Sequence, residues 1–183
     1  MTAAGGAATR TFGSLVVECA QGDITSQPDV DAVVNAANAE LAPGGGVAGA
    51  IHRVAGPGLY EECRPLAPLR TGQAVITSGH GLPNPWCIHV LGPVYRSSAD
   101  PPGELASCYR EMCARAEERK LRSLATPAVS TGIFGYPVEE AADVALQALH
   151  KHANTLRSLQ VVRFVLWGKE DFDAHVEALQ RAG

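Results

Sequence analysis

The stretch Val33–Gly56, VVNAANAELAPGGGVAGAIHRVAG, decides how this chain folds. It opens on apolar β-branched residues that run into two asparagines, Asn35 and Asn38. It then passes through Ala42-Pro43 into three successive glycines, Gly44 to Gly46, and ends in a small-residue segment, Val47–Ala55. Strand, polar loop, flexible loop and helix N-terminus is the order this composition predicts. Three adjacent glycines remove every Cβ from a loop just ahead of a helix, so its N–H groups can approach a ligand closely. The helix N-terminus adds unpaired donors and a partial positive charge, which suits an anion. A plain turn uses glycines in the same way, and the loop alone favours that simpler role. The asparagines upstream and a second loop of the same kind downstream shift the balance toward a ligand site.

That second loop is AVSTGIFGYP, Ala128–Pro137. Ser130, Thr131, Gly132 and Gly135 follow a short strand read over Arg122–Pro127 and precede an amphipathic helix, Val138–His150. Two backbone cradles at strand ends of one sheet suit a diphosphate held from both sides. The glycine spacing is weak evidence by itself. Phe134, between two glycines, is either a core anchor or an aromatic wall against a sugar.

Elsewhere, strands are expected over Ser14–Ala20, Asp31–Asn35, Gln73–Ser78, Trp86–Leu91 and Val161–Trp167. Helices are expected over Val47–Ala55, Gly58–Ala67 (opened by Pro57), Glu104–Arg119 and Asp171–Arg181. The turn-forming run Gly79–Pro85 joins its two flanking strands as a hairpin. Strands alternating with helices give an α/β class with a largely parallel sheet and one antiparallel hairpin.

Composition narrows the function. A chain of 183 residues is expected to form one domain, and its 46% apolar content is ordinary for a globular protein. No apolar run approaches the roughly 20 residues that span a bilayer, so no membrane role is expected. The opening stretch lacks the apolar core of a signal peptide. Residues 1–13 are therefore expected to be a flexible tail, with a single domain over residues 14–183. A net charge of −4 leaves no electrostatic footprint for nucleic acid, so local backbone dipoles must hold any anionic ligand. The five cysteines show no paired spacing, which fits small core hydrophobes in a reducing cytoplasm.

Individual candidates carry alternatives. Asp23, in a Gly-Asp-Ile turn after a strand, is either a turn cap or a carboxylate accepting from the exocyclic amine of a base. Asn38 either bonds its own backbone or orients ribose hydroxyls or a water. His52 and His89 read as structural histidines, whereas His80, His150, His152 and His175 read as surface or loop residues.

Together, Gly22-Asp23-Ile24, Asn35-Ala36-Ala37-Asn38, Gly44–Val47, Gly49–His52, Ile88-His89 with Gly92-Pro93, and Ser130–Pro137 resemble a macrodomain, the ADP-ribose-binding module. They stand in the family's order and cover about Leu15 to Leu179. The resemblance implies a three-layer α/β/α fold around a mixed, mostly parallel sheet of six strands. It implies that Asp23 and the Ile24 backbone bind adenine, with Trp167 lining that pocket. Asn38 would sit at the distal ribose. Gly45, Gly46 and Val47 would wrap the ribose and diphosphate from one side, and Ser130, Thr131, Gly132, Ile133 and Phe134 from the other. Asn38, Gly46 and Phe134 would be the catalytic set of an ADP-ribosyl hydrolase, with no metal and no cofactor.

The family's MacroD-type hydrolases carry an aspartate directly after the glycine run, where this chain has Ala48. A general base of that kind is worth about two to four orders of magnitude in rate. Viral macrodomains with a similar GGGVAGA stretch are hydrolases without it. The implied activity is removal of ADP-ribose from Glu and Asp side chains of proteins, with O-acetyl-ADP-ribose as a further ester substrate. A non-catalytic reader and an ADP-ribose 1″-phosphate phosphatase are the alternatives. The implied partners are ADP-ribose and ADP-ribosylated proteins, with ADP-ribosylated nucleic acid left open.

Overall fold

The computed structural model describes residues 7–183. Seven strands form one mixed sheet: β1 (Ala8–Phe12), β2 (Leu15–Gln21), β3 (Ala32–Ala36), β4 (Ala74–Ser78), β5 (Trp86–Val90), β6 (Ser123–Thr126) and β7 (Val161–Leu166). Their spatial order is β1-β2-β7-β6-β3-β5-β4. The inner pairs are parallel, and β1 and β4 run antiparallel at the two edges. Five helices cover the faces: α1 (Gly46–Ala55), α2 (Pro57–Cys63), α3 (Pro101–Glu118), α4 (Val138–His152) and α5 (Lys169–Arg181).

The central strands read as continuous apolar runs because both their faces are buried. In β3, Ala32 and Val34 pack into the core under α3, α4 and α5, while Val33 packs into a second core under α1 and α2. β7 divides the same way, with Val162, Phe164 and Leu166 on the first side and Val165 on the second. The architecture is the three-layer α/β/α fold.

The sheet has a seventh strand because the expected tail over residues 1–13 is structured over Ala8–Phe12, where Thr9 to Thr11 pair with Val16 to Glu18. Phe12 is buried in the core, and the Arg10 guanidinium donates to the carbonyls of Leu179 and Gln180 at the end of α5. Residues 1–6 of that tail lie outside the described residues. α3 begins three residues earlier than Glu104, because Asp100 caps it by accepting from Gly103 N–H at 3.2 Å and Pro101 and Pro102 fit its first turn. His175, read from the sequence as a surface residue, is instead buried on α5, its ring 5.1 Å from that of Phe164.

One polar ladder crosses three strands. Thr77 on β4 donates its hydroxyl to the Ser78 carbonyl, so its oxygen accepts from His89 Nε2–H on β5 at 3.0 Å. His89 Nδ1 is then left to accept from the Asn35 amide on β3, also at 3.0 Å. The ring is satisfied only while neutral.

Burial, with the nearby His52, pushes the His89 pKa down to about 3. In the unfolded chain the same ring takes up its proton near pH 6.5, so between those values the unfolded state binds more protons and stability falls with the pH. Burial shifts His52 and His175 in the same direction. Urea unfolding should therefore show stability dropping from pH 7 to pH 5, by up to about 1.4 kcal/mol per pH unit for each histidine that charges on unfolding. A flat profile over that window would contradict the neutral ladder.

Candidate functional site

Ligand sites in open α/β sheets lie beyond the carboxyl ends of strands, where loops of neighbouring strands diverge. β3 and β6 are such neighbours here, and the loops that leave them enclose a cleft of about 310 Å³. Its lining comes from three places: Ala36–Asn38 with Gly44–Ala48, Gly92, and Ala128–Ser130 with Gly132–Phe134.

The first loop is locked at its base. Asn38 donates its amide to the Ala42 carbonyl at 2.9 Å and accepts from Ala42 N–H at 3.0 Å. Asn38 thus takes the backbone-bonding role, and its amide retains one further N–H and one lone pair. Beyond Ala42 the chain reaches α1, whose N-cap Gly45 provides no side-chain cap and whose first turn holds no acid. Its first N–H groups are therefore free donors at the positive end of a helix dipole. Gly46 has φ 57°, a backbone conformation that glycine adopts without strain.

The second loop closes on itself. Tyr136 N–H donates to the Ser130 carbonyl and Gly135 N–H to the Gly132 carbonyl, while Phe134 O accepts from Tyr95 N–H at 2.9 Å. Ser130 is buried with φ 70°, a left-handed conformation costing about 1–2 kcal/mol for a non-glycine residue. Its hydroxyl finds no hydrogen-bond partner among the described residues. Gly92 makes this packing possible, since a Cβ there would stand 2.1 Å from Ser130 Oγ and 2.6 Å from Val129 Cγ1. Phe134 packs against the core under α1 and α2 and also lines the cleft. Ile133, at the loop tip, is 96% exposed.

Of the candidate residues, the structure gathers Asn38, Gly45, Gly46, Val47, Ser130, Gly132, Ile133 and Phe134 around the cleft. Thr131 lies in the second loop, half-buried, but is not part of the lining. Asp23, Ile24 and Trp167 stand apart, at the ends of β2 and β7, where Gly22 N–H donates to the Leu166 carbonyl. Asp23 accepts from Thr25 N–H and from the Thr25 hydroxyl at 2.8 and 2.7 Å, and these bonds hold its carboxyl below the usual range. One oxygen of Asp23 is thus engaged as a turn cap, on a residue that is exposed. Ile24 is buried, and the Trp167 side chain is 80% exposed.

The lining holds two polar side chains, Asn38 and Ser130, and no carboxylate, imidazole or thiol. All five cysteines are buried, with Cys63 pushed up to about 11 and Cys19 to about 12 by desolvation. His52 lies one helical turn beyond Ala48, buried, with both ring nitrogens unpaired among the described residues. The lining residues that sequence reasoning did not assign are Ala36, Ala37, Gly44, Gly92, Ala128 and Val129. Small apolar residues carry no chemical signal of their own, and sequence reasoning gives Gly92, singled out with Pro93 as part of a motif, no role at the ligand.

The Macro domain family profile matches residues 34–145. A Macro domain-containing protein of Chlorobaculum tepidum is 44% identical over 91% of this chain and 96% of its own length. The ADP-ribose glycohydrolase MACROD1 of Bos taurus is 51% identical over 72% of this chain, which spans 41% of that larger protein. Among solved structures, the Oceanobacillus iheyensis macrodomain with ADP superimposes with a TM-score of 0.91 at 36% identity, over 96% of this chain and 95% of that one. The Trypanosoma brucei macrodomain in complex with ADP-ribose gives a TM-score of 0.83 at 35% identity, over 89% of this chain and 68% of that one. The chain belongs to the Macro domain family.

Two glycines of the cleft differ in their tolerance of a methyl group. Gly92→Ala should cost about 1–3 kcal/mol in chemical unfolding, the range for overpacking a filled site. Gly132→Ala, where a Cβ meets nothing within 4 Å, should stay within about 0.5 kcal/mol of wild type. Equal costs at the two positions would mean that Gly92 does not seat the second loop.

Proposed function

We propose that this chain binds ADP-ribose and hydrolyses ADP-ribosyl esters, releasing ADP-ribose from Glu and Asp side chains of proteins. The observation that carries the reading is the pairing of an uncapped helix N-terminus with a second glycine loop across one cleft. Such a pair offers N–H donors to a diphosphate from two sides. The relatives supply the ligand class: one related structure holds ADP, another holds ADP-ribose, and MACROD1 is named as an ADP-ribose glycohydrolase.

The layout suits an elongated dinucleotide. β2 and β3 are three strand positions apart, about 14 Å at ordinary sheet spacing. In this reading Asp23, Ile24 and Trp167 take the adenine at the β2 and β7 ends. Gly45, Gly46 and Val47 hold the diphosphate and distal ribose from one side, Ser130 to Phe134 from the other. Asn38, through its remaining amide capacity, and Gly46 position the ribose and a water, and Phe134 fixes the ribose orientation. The water oxygen bonds to the anomeric carbon as the ester oxygen departs with the bonding pair as a carboxylate. The water's proton passes to a phosphate oxygen of the substrate. A carboxylate leaving group needs no strong acid, so positioning and charge stabilisation can carry the step.

The same pocket accommodates O-acetyl-ADP-ribose, and it contacts only the ADP-ribose part of any conjugate, so nucleic-acid conjugates fit the same reading. A cytoplasmic setting suits five reduced cysteines. A second reading, a non-catalytic reader, is favoured by Ala48, which lines the cleft where a general base would stand.

The deciding experiment is a time course of label release from protein mono-ADP-ribosylated on Glu and Asp, with Asn38→Ala alongside. Wild type should release label, and the variant should lose at least tenfold in rate while still binding ADP-ribose. Tight binding without release by wild type would make the chain a reader for that linkage.

A further inference from the structure

Gly49 presents an anomaly. It is the fourth residue of α1, it is buried, and its φ lies outside the left-handed region, so its own backbone has no need of glycine. A glycine inside a helix weakens it relative to alanine. Its neighbours Ala48 and Ala50 show the residue this helix otherwise uses.

The reason lies across the helix. A Cβ on Gly49 would stand 2.3 Å from the Gly44 carbonyl oxygen and 3.3 Å from the Gly44 carbonyl carbon. Both neighbours are backbone and cannot rotate aside. On its other flank Gly44 meets the Asn38 amide, which would lie 3.4 Å from a Cβ at that position. Asn38 is itself fixed by its two bonds to Ala42. Gly44 is thus held between a locked amide and a bare Cα, whereas a Cβ at Gly45 or Gly46 would meet nothing within 4 Å. The loop therefore has one anchored residue and two free ones, and the free ones open α1 at the cleft.

We propose that Gly49 is a positioning residue for the ligand. It touches no ligand itself, and its missing side chain sets how far the first glycine loop withdraws from the cleft, at the expense of helix stability. The proposal rests on the ADP-ribose reading, which puts the distal ribose and diphosphate against Gly45, Gly46 and Val47 and the adenine elsewhere. A displaced loop then harms one end of the ligand and spares the other.

The test compares Gly49→Ala with wild type in three measurements: melting temperature without ligand, ADP-ribose affinity and AMP affinity by calorimetry. Alanine gains helix propensity in α1 but strikes the Gly44 carbonyl, so the chain should still fold cooperatively with its melting temperature lowered by no more than a few degrees. It should weaken ADP-ribose at least tenfold and leave AMP, which engages mainly the adenine end, within about twofold.

Unchanged ADP-ribose affinity in Gly49→Ala would overturn the proposal and leave the site reading intact. A parallel loss for both ligands would do the same, as would a chain that no longer folds, since either assigns Gly49 to general packing. Failure of wild type to bind ADP-ribose would sink the site reading itself, and the proposal with it.

Discussion

The cleft depends on neighbours approaching two glycine Cα atoms more closely than a Cβ permits. Gly49 admits the Gly44 carbonyl against α1, and Gly92 admits Ser130 and Val129 against the loop that follows β5. Each ligand loop therefore rests on a glycine supplied by a different element, and each seat fixes a loop made largely of small residues. Side chains could not do this work at the same distance. A lining of glycine, alanine and valine presents N–H groups directly to a ligand, and an anion held by several such dipoles needs no lysine or arginine nearby.

The helix termini show the same logic in their charges. α4 and α5 carry acids in their first turns, Glu139 with Glu140 and Glu170 with Asp171, which satisfy the positive ends of their dipoles. α1 has no acid there and no capping side chain, and it is the helix whose N-terminus opens on the cleft. A chain of net charge −4 repels anions at long range. The anion preference is local, confined to one helix end, and bulk composition could not reveal it.

The sequence made much of this legible, for identifiable reasons. β3 and β7 are short apolar runs bounded by turn formers, and α4 repeats its buried residues at helical spacing, so elements of this kind are fixed by local pattern. β1 was not, because its residues Thr9 to Thr11 read as a polar tail until Phe12 is seen in the core and Arg10 at the end of α5, more than 160 positions away. Such pairings carry no local signal. Asn38 and the two glycine loops were recognisable as a unit, yet the lock between Asn38 and Ala42 was only one of two readings. Gly49 and Gly92 were visible as motif members, but their purpose lies in what a Cβ would strike. That depends on tertiary placement.

Ala48 turns these observations toward chemistry. It is buried at the head of α1, its methyl lining the cleft. A carboxylate there would sit at the positive end of the helix dipole, which would stabilise its ionised form and lower its basicity. The same helix end that suits a diphosphate would therefore compete with a weakened base. With alanine, the whole field of the N-terminus stays available to phosphates, and in the proposed hydrolysis the water would be activated only by position and by the substrate. That exchange is affordable for a bond whose leaving group is already a stable carboxylate. It becomes less so as the leaving group grows more basic, when a missing base worth about two to four orders of magnitude would be felt in full. On the proposed hydrolase reading, the geometry around Ala48 would tie the range of linkages to leaving-group basicity rather than to the shape of the pocket.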